Sequence, residues 1–332
     1  MIGLQFALGA VIVVLAAVKL AEYGDAIAYQ TKLSGMLIGV ILLASATSLP
    51  EILTMISSIN QDHINLTAGD LFGSSMFNML LLGLLDMVFY RNRILRRVAL
   101  KHALTASLAT MLTGMAVFFI LTDVDVRLGW FGLDSLMMLA IYFGGIWLLR
   151  ANASRSVDHQ TADALPSGDQ EALPLPRAAA GFLLSAAVLV LVVPSVVHSG
   201  AGIAKSTGLG DGFVGLVLIA SVTSLPELVA MVAAARMRAY DMAVGNLFGS
   251  NMFNMFALAL ADILYLRGSF FGAIDPGLAI AGLLAMLLTM LGLIGNLAHI
   301  ERRLWFIELD ALLLITSYFV GIYLLYMRGV GG

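Results

Sequence analysis

The sequence predicts an all-α integral membrane protein of ten transmembrane helices, arranged as two inverted five-helix repeats. Three observations predict it. Of 332 residues 60% are hydrophobic and only 12% charged, with a mean hydropathy of +0.96. A soluble domain carries about 45–50% apolar and about 25% charged residues, so this chain has too little charge to cover a water-exposed surface. The sequence also divides into about ten apolar runs, each near the roughly 20 residues that a helix needs to cross hydrocarbon. Finally, one long segment recurs without a gap, 176 residues further on.

Cut at charged and turn-forming stretches, the spans fall near 3–22, 33–59, 64–89, 98–121, 129–150, 177–200, 211–235, 240–266, 270–298 and 304–327. The first run has no basic stretch before it and no small-residue cleavage site after it, so it reads as a membrane helix and not as a removed signal. The polar segment 151–176, rich in Ser, Asp, Ala and Pro, is expected to be a linker between a first repeat, 1–150, and a second, 177–332. Connections after spans 1, 3, 5, 7 and 9 hold 14 of the 18 Lys and Arg, and the other side holds Arg127, Lys205, Arg267 and Arg328. By the positive-inside rule the linker is cytoplasmic and both termini face outward across a cell membrane. A net charge of -3 excludes a basic nucleic-acid binder, and the absence of cysteine excludes disulfides and thiolate metal sites.

The repeated segment carries the chemistry. Residues 42–86 align on 218–262, so that Thr47, Ser48, Leu49, Pro50 and Glu51 recur as Thr223, Ser224, Leu225, Pro226 and Glu227. Five spans separate the copies, and an odd number makes them enter the membrane from opposite sides, as in many secondary transporters. A mid-membrane Glu costs several kcal/mol unless it faces a cavity or a cation, and here there are two. Pro50 and Pro226 remove a backbone donor and are expected to free carbonyls about one turn earlier, at Ala44 to Thr47 and Ala220 to Thr223. In the following spans Asp70, Ser74 and Asn78 lie at i, i+4 and i+8 on one helix face, with Asn246, Ser250 and Asn254 as their twins. The spans carrying these motifs, 2, 3, 7 and 8, are expected to be broken. An oxygen-only ligand set with two or more carboxylates suits Ca²⁺ or Na⁺ better than Mg²⁺, which dehydrates reluctantly.

At these residues the chain resembles the sodium/calcium exchanger branch of the cation/Ca²⁺ antiporter superfamily. ATSLPE and VTSLPE, followed by GDLFGSSMFN and GNLFGSNMFN, resemble that family's two alpha-repeats. The resemblance implies an antiporter without a cofactor that exchanges Ca²⁺ for Na⁺ by alternating access, its first and sixth helices sliding past a fixed core. It implies ion sites lined by Glu51 and Glu227, by Thr47, Ser48, Thr223 and Ser224, by Ser74, Ser250, Asn78 and Asn254, and by the carbonyls of Ala44 and Ala220. The partners so implied are inorganic cations and membrane lipid. Two positions depart from the family's pattern: Asn254 stands where Asp is common, and Asp70 where Asn is common. The first weakens a site for three Na⁺. Asp70 either restores that charge about 12 Å along the helix, joining the site, or sits at its outer mouth. A proton could then replace Na⁺ as coupling ion, because a low-dielectric cavity favours the protonated carboxyl.

Other features read more plainly. Gly69, Gly73, Gly245 and Gly249 have the G-x-x-x-G spacing of close helix crossings, Ser75 and Asn251 are equally suited to packing or to ligation, and Asp86 and Asp262 fall at span ends and are expected at the interface. No D-x-[DN]-x-[DN]-G loop encodes a Ca²⁺ sensor. Gly208 to Asp211 (GLGD) and Tyr240-Asp241 match pieces of intramembrane aspartyl proteases, but in reversed order and without a PAL tripeptide. A channel would need a continuous polar lining, whereas polarity here gathers at midplane.

Overall fold

Helices of the two halves recur at the spacing of the sequence repeat. The computed structural model describes residues 2–30, 47–89, 94–123, 126–128, 131–155, 173–298, 303–304 and 307–330. In the first half these form α1 (Ile2–Gln30), α2 (Leu49–Asn60), α3 (Ile64–Val88), α4 (Ile94–Thr122), a two-residue ladder of β1 (Arg127–Leu128) with β2 (Phe131–Gly132), and α5 (Leu133–Arg155). The second half has α6 (Leu175–Thr207), α7 (Asp211–Val214), a π-turn at Gly215–Ile219, α8 (Ala220–Thr223), α9 (Leu225–Arg236), α10 (Tyr240–Leu264), α11 (Phe270–Ala273) and α12 (Leu278–Ala298). A ladder of β3 (Arg303–Leu304) with β4 (Ile307–Glu308) and then α13 (Leu309–Arg328) follow. The bounds of α2 and α9, of α3 and α10, and of the two ladders are each 176 residues apart. The halves differ where Pro276 interrupts the second: α4 is one helix, but its counterpart is split into α11 and α12, since proline cannot continue a helical ladder.

Eight helices among the described residues are long and apolar enough to cross a membrane, nine when the segments Asp211–Thr223 and Leu225–Arg236, bent by 40°, count as one span. The expected second span is described only from Thr47, and the linker is outside the described residues over 156–172. Span 7 is interrupted as expected, at Ser224, and in span 2 a helix starts just after Ser48, the part before Thr47 lying outside the described residues. Spans 3 and 8 are not interrupted: α3 and α10 are continuous over 25 residues each. They contain no proline, and their glycines shorten the distance to neighbours instead of breaking the ladder.

Lipid is as apolar as leucine, so close packing and buried polar bonds hold these helices together, more than removal of surface from water. The centre is α3 with α10. Their apolar windows are 78% and 67% buried, against 28% for α1 and for α6. Around them α4, α12, α5 and α13 close one large apolar cluster through Phe72, Met76, Phe248 and Met255. A second, smaller cluster joins α1 to α6 through Val13, Ala17, Leu189, Val193 and Val197, touching the rest by Leu66 and Ile219. The α1/α6 pair thus packs mainly on itself and stands apart from the core that carries the polar residues.

Asp86 and Asp262, expected at the interface, are buried within the protein. Asp262 accepts from the backbone N–H of Gly132 at 3.2 Å and of Phe270 at 3.0 Å, and from the Ser135 hydroxyl at 2.8 Å, tying α10 to the start of α5 and to α11. Asp262→Ala would leave three donors unpaired in a dry site, each costing about 1–3 kcal/mol. We expect a loss of about 3 kcal/mol or more, read as a lower Tm in detergent, with the transport rate per folded molecule retained. Asp86, the counterpart, instead forms an acidic group with Glu308 and Asp310, one oxygen of each lying within 4.8 Å of the others.

Candidate cation site

The two breaks place a carboxyl in the first turn of a helix. Ser48 and Ser224 take nearly the same non-helical backbone, φ -89°, ψ 14° and φ -88°, ψ 5°, and α2 and α9 begin immediately after them. Pro50 and Pro226 fit there because first-turn N–H groups have no intrahelical acceptor. Glu51 and Glu227 follow, where the exposed N–H groups and the helix dipole favour an anion.

The serines then serve the opposite repeat. Ser224 donates to Glu51 Oε1 at 3.4 Å, and Ser48 donates to Glu227 Oε1 at 3.0 Å. Ser250 reaches the same Glu227 oxygen at 3.3 Å, and Thr47 also bonds Glu227. Asp70 lies against this group: it is fully buried, and its Oδ1 accepts from Thr223 Oγ1 at 3.1 Å, with Ser74 Oγ 3.4 Å from that hydroxyl. Glu51 lies near enough to Glu227 and Asp70, and Asp70 to Glu227, for their charges to repel. Each carboxyl has one oxygen bonded to a hydroxyl and a second, Glu51 Oε2, Glu227 Oε2 and Asp70 Oδ2, that is buried without a hydrogen-bond partner. Three like-charged acceptors buried together are costly unless a cation or protons neutralise them.

One helical turn further along α3 and α10 lie Asn78 and Asn254, each 1% exposed. Asn78 donates to Asn251 at 3.0 Å and Asn254 to Ser75 at 3.3 Å, and the Oδ1 atoms of both are buried without a partner. The site is therefore a tier of carboxyls and hydroxyls followed by a tier of amide oxygens, a hard-oxygen set of the kind Ca²⁺ and Na⁺ take.

Of the residues expected here, Ala44 lies outside the described residues. The Ala220 carbonyl is not freed by Pro226. It accepts from Ser224 N–H at 3.1 Å, and the carbonyl that loses its helical donor to Pro226 is that of Val222, four residues before it. Sequence reasoning missed Thr289, whose hydroxyl on α12 accepts from Asn251 at 3.3 Å, and it left Ser75 and Asn251 undecided. The available signal was position 75/251, where the repeats differ inside a matching motif. Asn246, the twin of Asp70, is buried with neither amide atom hydrogen-bonded. Asp211, at the start of α7, lies 2.7 Å from His63 in the turn between α2 and α3.

The profile of the family described as sodium/calcium exchanger protein matches residues 2–150 and 177–327. The chain belongs to the sodium/calcium exchanger family. Exchangers of this family are transporters, which removes the protease reading and makes the chain a multi-pass membrane antiporter of Ca²⁺ and a counter-cation. The exchanger is 28% identical to the putative antiporter CaxA of Alkalimonas amylolytica over 309 residues, 89% of this chain and 91% of that one. Its fold is similar to that of YfkE, with a TM-score of 0.68 at 16% identity over 98% and 93% of the two chains. It is also similar to that of the sodium-calcium exchanger NCX_Mj soaked with Na⁺ and Sr²⁺, with a TM-score of 0.58 at 20% identity over 96% of each chain.

Proposed function

We propose that this exchanger moves Ca²⁺ against Na⁺ by alternating access, through a site of Glu51, Glu227, Asp70, Thr47, Ser48, Thr223, Ser224, Ser74, Ser250, Asn78 and Asn254. The observation that carries the reading is the crosswise pairing of Ser48 with Glu227 and of Ser224 with Glu51. Each carboxyl is held by the opposite repeat, so the two form one site in the core past which α1 and α6 would slide. The unpartnered second oxygens supply charge for one divalent ion. The separate packing of α1 with α6 supports a sliding gate over a fixed core. On the distribution of Lys and Arg, both termini face outward, the halves 1–150 and 177–332 are inverted repeats, and residues 151–176 lie in the cytoplasm of a cell with a positive-inside membrane.

Asp70 favours a second reading on the same fold, exchange of Ca²⁺ for H⁺. Glu51 and Glu227 already neutralise one Ca²⁺, and a third carboxyl bonded to Thr223 is left to carry the counter-ion. With Asn254 in place of a carboxylate, that charge has moved to the other repeat.

Purified protein in liposomes, given radioactive Ca²⁺ and either a Na⁺ or a pH gradient, separates these readings. The Na⁺ gradient is expected to drive Ca²⁺ uptake. Uptake driven by the pH gradient alone would select the proton, and Ca²⁺ flux indifferent to both would overturn antiport. Asp70→Asn should preserve measurable Ca²⁺ binding but shift the half-maximal Na⁺ or H⁺ concentration by about fivefold, the size of a 1 kcal/mol change in binding. The shift should persist at high ionic strength, because a buried charge is screened far less than one at a mouth.

A further inference from the structure

The proposed ligand oxygens of Asn78 and Asn254 are set by a directed chain of hydrogen bonds that begins outside the ion site. Thr289 gives its one hydroxyl proton to the Ala285 carbonyl at 2.8 Å. Towards Asn251 it can then only accept, so it meets the Asn251 nitrogen, at 3.3 Å. The same nitrogen donates to the Ser75 carbonyl at 3.2 Å, which also can only accept. Two acceptors thus fix the Asn251 amide with Oδ1 turned to Asn78, and Asn78 must answer with its nitrogen, at 3.0 Å. A flipped Asn78 would set two oxygens against each other.

The second amide is held by the same logic with the repeats exchanged. Ser75 gives its proton to the Leu71 carbonyl at 2.9 Å, so its hydroxyl accepts from the Asn254 nitrogen at 3.3 Å. Ser75 and Asn251 are repeat counterparts, as are Asn78 and Asn254, so each outer residue holds the inner residue of the other half. At the end of both paths an amide oxygen remains, buried and without a partner.

We infer that Thr289 and Asn251 are positioning residues of the cation site: they orient the Asn78 amide so that its oxygen, and not its nitrogen, faces the ion, as Ser75 does for Asn254. The inference rests on the proposed site, because it needs Asn78 to be a ligand. A nitrogen donor turned toward a cation would replace an attraction by a repulsion, so the chain acts on affinity without touching the ion.

The test is equilibrium binding of radioactive Ca²⁺ to purified full-length protein carrying Thr289→Val, Thr289→Ser or Asn78→Ala. Valine keeps the shape of threonine and removes the acceptor. Thr289→Val is expected to weaken Ca²⁺ binding about tenfold, the lower end of outer-shell effects at metal sites, with Tm within a few degrees of the parent. Thr289→Ser, which retains the hydroxyl, should restore affinity, and Asn78→Ala should weaken binding at least as much as Thr289→Val. Unchanged affinity in Thr289→Val beside a loss in Asn78→Ala would overturn the positioning role alone. Equal losses in Thr289→Val and Thr289→Ser would also overturn it, assigning the effect to the methyl group. Wild-type affinity in Asn78→Ala would overturn the ligand reading and the inference together.

Discussion

Glu51→Gln and Glu227→Gln should each abolish Ca²⁺ transport while leaving the protein folded. Glutamine keeps the size of glutamate, and its Oε1 still accepts from Ser224 or Ser48, so the crosswise bonds survive. The second oxygen, now without a partner, becomes an NH₂ group. The site loses one of the two charges that neutralise a divalent ion and gains a donor pointing at it. Breaking a buried charge pair costs about 3–5 kcal/mol, so the apparent Ca²⁺ affinity should fall by a factor of about 100 or more. Flux measured at equal membrane expression, with Tm as the folding control, checks this. Wild-type flux in either variant would mean that the Glu is structural.

Gly73→Ala should disable the protein by a different route. The α3 backbone lies directly against the π-turn and α8, and a Cβ at Gly73 would meet the Leu216 carbonyl, with Leu216 Cα and Ala220 Cβ each 2.7 Å away. Gly69 faces the Gly212 carbonyl in the same manner. These are backbone atoms and an alanine Cβ, which no rotamer change can move aside. The two segments must separate, and Thr223 and Ser224, just beyond the contact, move away from Asp70 and Glu51. Overpacking typically costs about 1–3 kcal/mol, and we expect about 3 kcal/mol with loss of transport. Gly144→Ala on α5 is the control. Nothing lies within 4 Å of its added Cβ, and replacing a helical glycine by alanine stabilises by up to about 1 kcal/mol. Thermal unfolding of both variants, with Ca²⁺ flux, separates a clash from a general effect of the methyl group.

Much of this was legible in the sequence because two signals are strong in membrane chains. Hydropathy placed the starts of α3, α7 and α10 and the end of α12 within a residue or two, since apolar length is set by the bilayer. Duplication picked out Glu51 and Glu227, because polar residues that hydrocarbon rejects do not recur together without a use. Neither signal gives a partner. That Ser48 serves Glu227 and not Glu51, three residues further along its own chain, follows from how the halves cross, which no local pattern encodes. Thr289 lies in an apolar run and reads as an ordinary membrane threonine bonded to its own helix until Asn251 is found beside it. Asp86 and Asp262 sit at span ends, where hydropathy expects water, but loops fold over them. The continuity of α3 and α10 escapes the sequence because polar motif and proline coincide in spans 2 and 7, and at Ser224 the proline, not the polarity, makes the break.

Locating a heavy congener of Ca²⁺ decides whether the transported ion sits between the carboxyls of the two repeats. Crystals of the full-length protein soaked with Sr²⁺ should give an anomalous peak at about the 2.3–2.6 Å expected for a Ca²⁺-type ion from Glu51 Oε2 and Glu227 Oε2, and Glu51→Gln should remove it. A peak at Asp86, Glu308 and Asp310 with none between Glu51 and Glu227 would contradict the account.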